Sequence, residues 1–560
     1  DVEVELSATP RAGLHRYRLP SGKPTHVVLD LEHRDRVLES EIVVVSNTEI
    51  AGFRRSTAWA VDQVVYFSAQ FSRPFKVRLA KDDEFVEGDR IEGTNCKAVL
   101  DFGHGGGEIM IRVGISAVDV DGARRNVETE IPRFDMPAVR DDARAAWAEA
   151  LDRFRIEGAN DSEKTIFSTA LYHSFLAPNL FSDIDGRYRG MDGEVHTAEE
   201  RNHYTVFSLW DTYRATHPLL TIVEPERTRE FLEVFLAQYE QGGRLPVWEL
   251  AANETDCMIG YHSVSVIADA WTKGLTTDDG EALLEAMLDS ARRDHFGLES
   301  YQRDGFISVD YESESVSKTL EYAYDDWCIA RMAEALGKDR ITAEFDLRAQ
   351  AWRHLFDPRS GFMRPRQNGG WMEPYDPRQV DFHHTEANGW QYRFAVPHDV
   401  EGMIDAMGGD ERFVAALDSL FDISPETTGR AQADITGQIG QYAHGNEPSH
   451  HMGWLYHFAG RPDQSARRID RIRREMYSPE PDGLIGNEDC GQMSSWYVFA
   501  AMGLYPVAPG DGQYVIVPAQ FSSVSIDLPN GETFTVRREG DGAFVDSVEL
   551  NGTPLDRSFI

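Results

Sequence analysis

The stretch "MPAVRDDARAAWAEALDRFRIEG", Met136 to Gly158, decides the fold, because the spacing of apolar residues changes inside it. Val139, Ala143, Trp147 and Leu151 recur every fourth residue and share one face of a helix. Upstream, from Asp1 to about Arg133, the apolar runs are short and alternate: "THVVLDLEH", "SEIVVVSNTEIAGF", "VVYFSAQFS" and "GEIMIRVGISAV", broken by Gly, Asp and Asn turns. A period of two predicts antiparallel strands, most simply a sandwich. Downstream of about Asp161 the helical period dominates, in "EKTIFSTALYHSFLAP", "TREFLEVFLAQYEQG", "KTLEYAYDDWCIARMAEALG" and similar segments. From about Gln513 alternation returns in "YVIVPAQFSSVSIDLP" and "TFTVRREG".

These changes divide the chain into a β-sandwich (1–135), a linker helix (136–158), a helical domain (159–508) and a closing β segment (509–560). One helix and its loop every ~30 residues suits a closed ring of helical hairpins, an (α/α)6 toroid. No exact repeat is visible, which favours a single toroid over a regular solenoid. A length of 560 residues agrees with two or three domains.

Composition narrows the class of function. Apolar residues make up 41% and charged residues 27%, ordinary for a folded soluble protein. No apolar run approaches the length that crosses a bilayer. The net charge of -38 repels phosphate backbones, and no basic stripe offsets it, so a nucleic-acid partner is not expected. Clustered carboxylates are either a solvated coat or a seat for a hard cation such as Ca²⁺. Cys96, Cys257, Cys328 and Cys490 show no C-x-x-C spacing, against a structural zinc site and a disulfide scaffold. The first residues carry neither an initiator Met nor an apolar leader core, as in a mature or trimmed chain.

A toroid has a pocket at its axis lined by loops from one end, so chemistry is sought in polar and aromatic loops between helices. The richest are "SLWDTYRATHP", "RLPVWELAANETDCMIGYHS", "DFHHTEANGWQYRFAVPHD", "GNEPSHHMGWLYHFAGRP" and "DGLIGNEDCGQMSSWYVF". The last two each set Asn and an acid behind a glycine, ahead of a run that reads as a helix.

The strings "FSLWDTYRATHPLL", "ANGWQYRFAVPHD", "GQYAHGNEPSHHMGWLYHFAGRP" and "GNEDCGQMSSWYVFAAMGLYPVAPG" resemble the signature segments of glycoside hydrolase family 92, the calcium-dependent exo-acting α-mannosidases. The resemblance extends over most of the chain. It implies an N-terminal β-sandwich followed by an (α/α)6 toroid, secretion or a periplasmic location, and inverting hydrolysis of terminal α-mannosides, as in N-glycan processing. Inversion needs one carboxylic acid to protonate the leaving oxygen and one carboxylate to activate water, about 6.5–9.5 Å apart. By family position the proton donor is Glu386 and the base Asp489, with Glu488 the competing base and Asn487 orienting the water. Each has a structural alternative: Glu386 as a surface acid, Asp489 as a cap for the helix near Gly491.

Asn446 and Glu447 carry hard oxygen ligands of the kind Ca²⁺ takes, and Gly445 lets a backbone carbonyl turn inward as a further ligand. The resemblance implies that the ion also touches mannose hydroxyls and helps distort the ring. The alternative is that Glu447, before Pro448, only complements a helix start. His450 and His451 are neighbours about 100° apart on a helix and cannot easily share one zinc ion, so His450 is read as pocket lining. Trp210, Asp211 and Arg214 suit a sugar pocket, with Trp210 equally a core residue. Trp248, with Glu249 and Asp256, is a weaker candidate, and His383, His384 and Trp390 flank the proposed acid.

Three features refine the resemblance. Family members usually begin well before the position of Asp1, in a segment that supplies an aromatic residue to the sugar site, and the C-terminal end is short by a strand or more. Members selective for α-1,2 links carry a His-Glu pair where this chain has Tyr442 and Ala443, which argues against strict α-1,2 activity. Glu386 rather than Gln points to a glycosidase and not to cleavage of mannose-1-phosphate diesters, whose leaving group needs no proton. The alternatives carried forward are another inverting (α/α)6 enzyme, such as an α-glucosidase, and a glycan-binding protein without turnover.

Overall fold

A computed structural model describes residues 2–104, 106–198, 201–277, 279–555 and 559–560. The chain forms two compact units, one of residues 1–152, 178–206 and 248–257, the other of 153–177, 207–247 and 258–560.

The first unit carries the alternating strands. They are β1 (Glu3–Ala8), β2 (Ala12–Leu19), β3 (His26–Asp30), β4 (Arg36–Ser46), β5 (Glu49–Thr57) and β6 (Gln63–Phe71), then β7 (Lys76–Lys81), β8 (Glu84–Val86), β9 (Arg90–Gly93), β10 (Cys96–Asp101) and β11 (Gly107–Ser116). A seven-stranded sheet runs β1-β2-β11-β6-β5-β4-β9 and a four-stranded sheet β3-β10-β7-β8, with antiparallel neighbours throughout. In β10, Cys96, Ala98 and Leu100 point inward while the residues between them are partly exposed. They join Ile42, Ile50, Leu79 and Ile109 in one core fed by both sheets, as a sandwich requires.

Two helices complete this unit. α1 (Val120–Glu130) is capped by the Asp119 side chain, which accepts from Gly122 N. It lies on β11 because Gly114 leaves room: a Cβ there would stand 2.0 Å from the Ala123 carbonyl oxygen. The sequence reading placed no helix here, since only Ala123 and Val127 give α1 an apolar face. α2 (Met136–Leu151) starts at an Asp135 cap with Pro137 in its first turn. Met136 and Val139 are buried against Leu14, Val127 and Ile131. The expected linker helix thus packs on the sheet unit and stops short of residue 158. Phe154–Glu157 is instead a strand, with Phe154 inward, paired antiparallel with Ser523–Asp527 in the second unit.

The second unit is helical. Asp161–Ser174 opens with a full capping box between Asn160 and Glu163. Thr216–Val223 and Pro225–Gly242 form a hairpin, and Ser315–Ala335 packs against Ser263–Thr272, Gly280–Arg292 and Asp339–Arg348. Val400–Met407 pairs with Asp410–Asp422, and Pro462–Met476 with Gln492–Met502. That last helix returns to the first: Ser495 Oγ donates to Ser174 Oγ at 3.0 Å, the contact a closed ring of helices needs. The strands Ser523–Asp527 and Thr533–Arg537 close the chain as an antiparallel pair. Among the described residues no helix is long and apolar enough to cross a membrane.

One expected helix is not there. "EPSHHMGWLYH" forms two 3₁₀ turns, Glu447–Ser449 and Met452–His457, closed by short-range bonds such as His450 N to the Glu447 oxygen at 3.0 Å. Pro448 can start a turn but not extend one upstream.

Candidate active site

Three loops of the helical unit converge. Asp211 sits in the turn Leu209–Thr212 and accepts a short hydrogen bond from Ser208 Oγ. Glu447 opens the first 3₁₀ turn, behind Asn446. Asp489 precedes the helix Gln492–Met502. One carboxylate oxygen from each of Asp211, Glu447 and Asp489 lies within 4.8 Å of the others. Asp211 and Glu447 are buried, and among the described residues Glu447 Oε1 has no hydrogen-bond partner.

Burial, and then repulsion within the trio, pushes Asp211 and Glu447 well above the usual carboxylate range; Arg214 pulls both back. Asp489 is pushed up to about 6 by burial and by Asp434. Three such groups cannot all ionise side by side without a cation. Hard oxygens, converging charge and an orphaned buried oxygen fit a Ca²⁺ ion.

The Gly-Asn-acid order that occurs twice has a steric basis. The two copies meet at their glycines: a Cβ on Gly486 would lie 2.9 Å from the Gly445 oxygen, and one on Gly445 would lie 1.9 Å from Thr436 Oγ1. Gly445 is therefore needed for close approach to Thr436. Asn446 makes two hydrogen bonds at the same turn. Its Oδ1 accepts from Glu447 N at 3.2 Å, and its Nδ2 donates to the Glu386 carbonyl oxygen at 3.1 Å, which ties the turn of Glu447 to the loop of Glu386. Glu447, one of the three residues read as ligands, stands in the carboxylate cluster with Asp211 and Asp489.

Glu386 is partly buried, and its carboxyl is pushed up to about 7 by burial, then by Asp434, with Asp489 a further contributor. The two acids assigned to catalysis thus lie within electrostatic reach of each other. Glu488 serves the helix: it accepts from Gly491 N and, at 3.3 Å, from Ser494 N. Asp489 is therefore not the cap, and the cap role weighed for it belongs to its neighbour. Asn487 is exposed on the same turn.

The remaining candidates separate. Arg214 is buried, donates from Nε to the Trp210 oxygen at 3.0 Å and lies over the Trp210 and Tyr213 rings. Trp210 is 1% exposed, the core alternative raised for it. His450 is buried, its Nε2 meeting the His444 oxygen at 3.0 Å and its Nδ1 the Gln492 amide at 3.0 Å. His384 pairs with Asp381 at 3.0 Å, and Trp390 packs edge-on against Phe362. Both are buried, whereas His383 is partly exposed beside them. Trp248 and Glu249 belong to the sheet unit, where Trp248 meets Trp59 edge-on and Glu249, buried and pushed up to about 8, accepts from Thr205 Oγ1 and Ala252 N. Asp256 is in the same unit, with a left-handed backbone at φ 49°.

Sequence reading missed Asp434, the leading charge acting on both Glu386 and Asp489, and Glu321, which pairs with Arg214 at 3.3 Å. Asp434 stands in "QADITGQIG", which has no motif to mark it. Glu321 had a signal: a helix buried on all faces that still carries Lys318, Glu321, Asp325 and Asp326 must use those charges.

Residues 122–560 match the glycosyl hydrolase family 92 catalytic domain and residues 1–116 the glycosyl hydrolase family 92 N-terminal domain. The chain is 29% identical over 503 residues to a protein of Arthroderma benhamiae called an uncharacterized secreted glycosidase, covering 81% of this chain and 58% of that protein's length. It superposes on the family GH92 α-mannosidase BT3965 of Bacteroides thetaiotaomicron with a TM-score of 0.95 at 35% identity, over 100% of this chain and 77% of the other. The same enzyme has been solved with mannoimidazole, and there the TM-score is 0.96. The inverting mannosidase BT2199 of the same bacterium gives 0.91 at 32% identity, over 100% of this chain and 79% of its own. With two adjoining family domains accounting for nearly its whole length, the chain belongs to glycoside hydrolase family 92.

Proposed function

We propose that this chain is an inverting exo-α-mannosidase that removes terminal mannose from glycans outside the cytoplasm, with Ca²⁺ held by Asp211, Glu447 and Asp489. The observation that carries the reading is the convergence of that trio, one oxygen of it orphaned, beside a carboxyl raised to about 7. The likeness to mannosidases, one named as inverting and one solved with mannoimidazole, supports the substrate and the stereochemistry. A secreted relative supports the location.

In this mechanism Glu386 keeps its proton near neutral pH and gives it to the leaving glycosidic oxygen. Asp489 has two carboxylate oxygens; one belongs to the cluster, and the other takes the proton of the attacking water. Asn446 fixes the acid loop to the turn that carries Glu447, so acid and cluster keep one spacing. When bound, Ca²⁺ neutralises the three carboxylates and offers Lewis acidity to sugar hydroxyls.

An assay of aryl α-mannoside beside aryl α-glucoside, in Ca²⁺ and in excess EGTA, tests the proposal. We expect mannoside turnover that EGTA abolishes and Ca²⁺ restores. Preference for the glucoside would overturn the substrate, and full activity in EGTA would overturn the metal. Loss of hydrolysis of mannosides with sugar leaving groups in Glu386→Gln, with sugar binding retained, separates an enzyme from a lectin-like protein.

A further inference from the structure

Behind the carboxylate trio runs a buried line of alternating charges. Arg214 pairs with Glu321 Oε1 at 3.3 Å. Glu321 Oε2 stands 3.1 Å from His262 Nε2, and His262 Nδ1 stands 2.7 Å from Asp325 Oδ1. Asp325 Oδ2 accepts from Tyr261 N at 2.8 Å, and the Tyr392 hydroxyl adds a bond to Glu321 at 3.3 Å. All four charged residues are buried, from 0% exposed at Asp325 to 7% at Arg214. Burial alone would neutralise such groups; at Glu321 and His262 the neighbouring charges outweigh it, whereas at Asp325 burial still raises the carboxyl against the pull of His262. Burial works to raise Glu321, yet Arg214 and His262 carry it down to about 2; burial works to lower His262, yet Asp325 and Glu321 carry it up to about 9.

The line ends on a competitor. Arg214 lies one turn beyond Asp211, and its charge acts on both Asp211 and Glu447. A guanidinium free to swing would pair with those carboxylates in the manner it prefers, two nitrogens to two oxygens, and a metal ion would have to displace it. Among the described residues its hydrogen bonds point elsewhere, to the Trp210 carbonyl and to Glu321.

We propose that Asp325, His262 and Glu321 are positioning residues that hold Arg214 away from Asp211 and Glu447 and so keep those carboxylates open to a divalent cation. The inference rests on the cation reading above. It predicts effects of opposite sign from the two ends of one ion pair, which a scaffolding role would not give.

The test is calorimetric titration of Ca²⁺ into chelator-stripped full-length protein. Wild type, Glu321→Gln, Arg214→Met and the double variant are compared, with melting curves in EGTA to verify folding. Glu321→Gln should weaken Ca²⁺ binding about tenfold or more, Arg214→Met should tighten it, and the double variant should match Arg214→Met, because Glu321 acts only through Arg214. If a single variant fails to fold, the double variant, which leaves no lone buried charge, decides alone by binding at least as tightly as wild type. Weakening in both single variants, an unchanged Glu321→Gln, or a double variant weaker than wild type would overturn the inference while leaving the cation site standing. A wild-type protein that takes up no Ca²⁺ would overturn both.

Discussion

Glu386 and Asp489 share a feature no spacing rule reveals: both hold left-handed backbones, with φ 50° and 53°, and Cys490 follows at 56°. Such conformations cost on the order of 1–3 kcal/mol for a side-chain-bearing residue and survive where surrounding structure imposes them. Here the impositions are visible, Asn446 bonding the Glu386 carbonyl and Glu488 tying down the turn at 489–491. Glu386→Gln should lower kcat on mannosides with sugar leaving groups by about 10²–10⁴-fold and much less on activated aryl mannosides; steady-state kinetics on both substrates checks this. Because the acid works protonated and is held at about 7, activity should fall as pH rises past that value, and the fall should vanish in Glu386→Gln. The assignment of the two acids rests on family resemblance alone, since an acid in a loop carries no periodicity. The carboxylate cluster was half legible. Glu447 stood out by residue type, whereas Asp211 was read as a sugar contact because its meeting with Glu447 and Asp489 joins positions more than two hundred residues apart, a relation only the fold creates.

At the scale of elements, the two Gly-Asn-acid turns explain each other. Glycine recurs because the turns press together over Thr436. Gly445→Ala should therefore destabilise the protein by about 1–3 kcal/mol and weaken cation binding. Adding Thr436→Ala, which removes the oxygen 1.9 Å from the new methyl, should recover part of both. Denaturant melts of the single and double variants measure the recovery; no recovery would mean that strain elsewhere governs the turn. Helix and strand periods survive translation into structure wherever one face is apolar, as in β10 and α2. They fail at α1, whose face is two residues, and at Glu447–His457, where residues on all sides are buried and the pattern has no polar face to set a period.

For the whole molecule, pH and metal are linked through buried charge. Glu386 and Glu488 are held at about 7, Glu249 at about 8, and Asp211 and Glu447 well above the usual range. In the unfolded chain such groups titrate near 4. The folded protein therefore binds the extra protons, and its stability falls as pH rises through about 6.5 to 8. Below about 6.5 buried neutral histidines, His203 and His217 among them at about 3, act in the opposite sense, so the decline should appear only above that point. Ca²⁺ should reduce the decline and, at one hundred times its Kd, add about 2.7 kcal/mol; melting temperatures in EGTA and in Ca²⁺ across this range check both. At this scale the order of sheet, helices and closing strands was readable from period. The returns of the chain to the sheet unit at 178–206 and 248–257 were not, because those short segments carry too few apolar residues to declare where they pack.

The account stands or falls on one acid and one base acting across a sugar beside a bound cation. Proton NMR of aryl α-mannoside hydrolysis, started in EGTA and completed after Ca²⁺ is added, tests it in a single tube. No turnover before the addition and β-mannose as the first-formed anomer after it is the predicted result. Turnover in EGTA, or α-mannose appearing first, would contradict it.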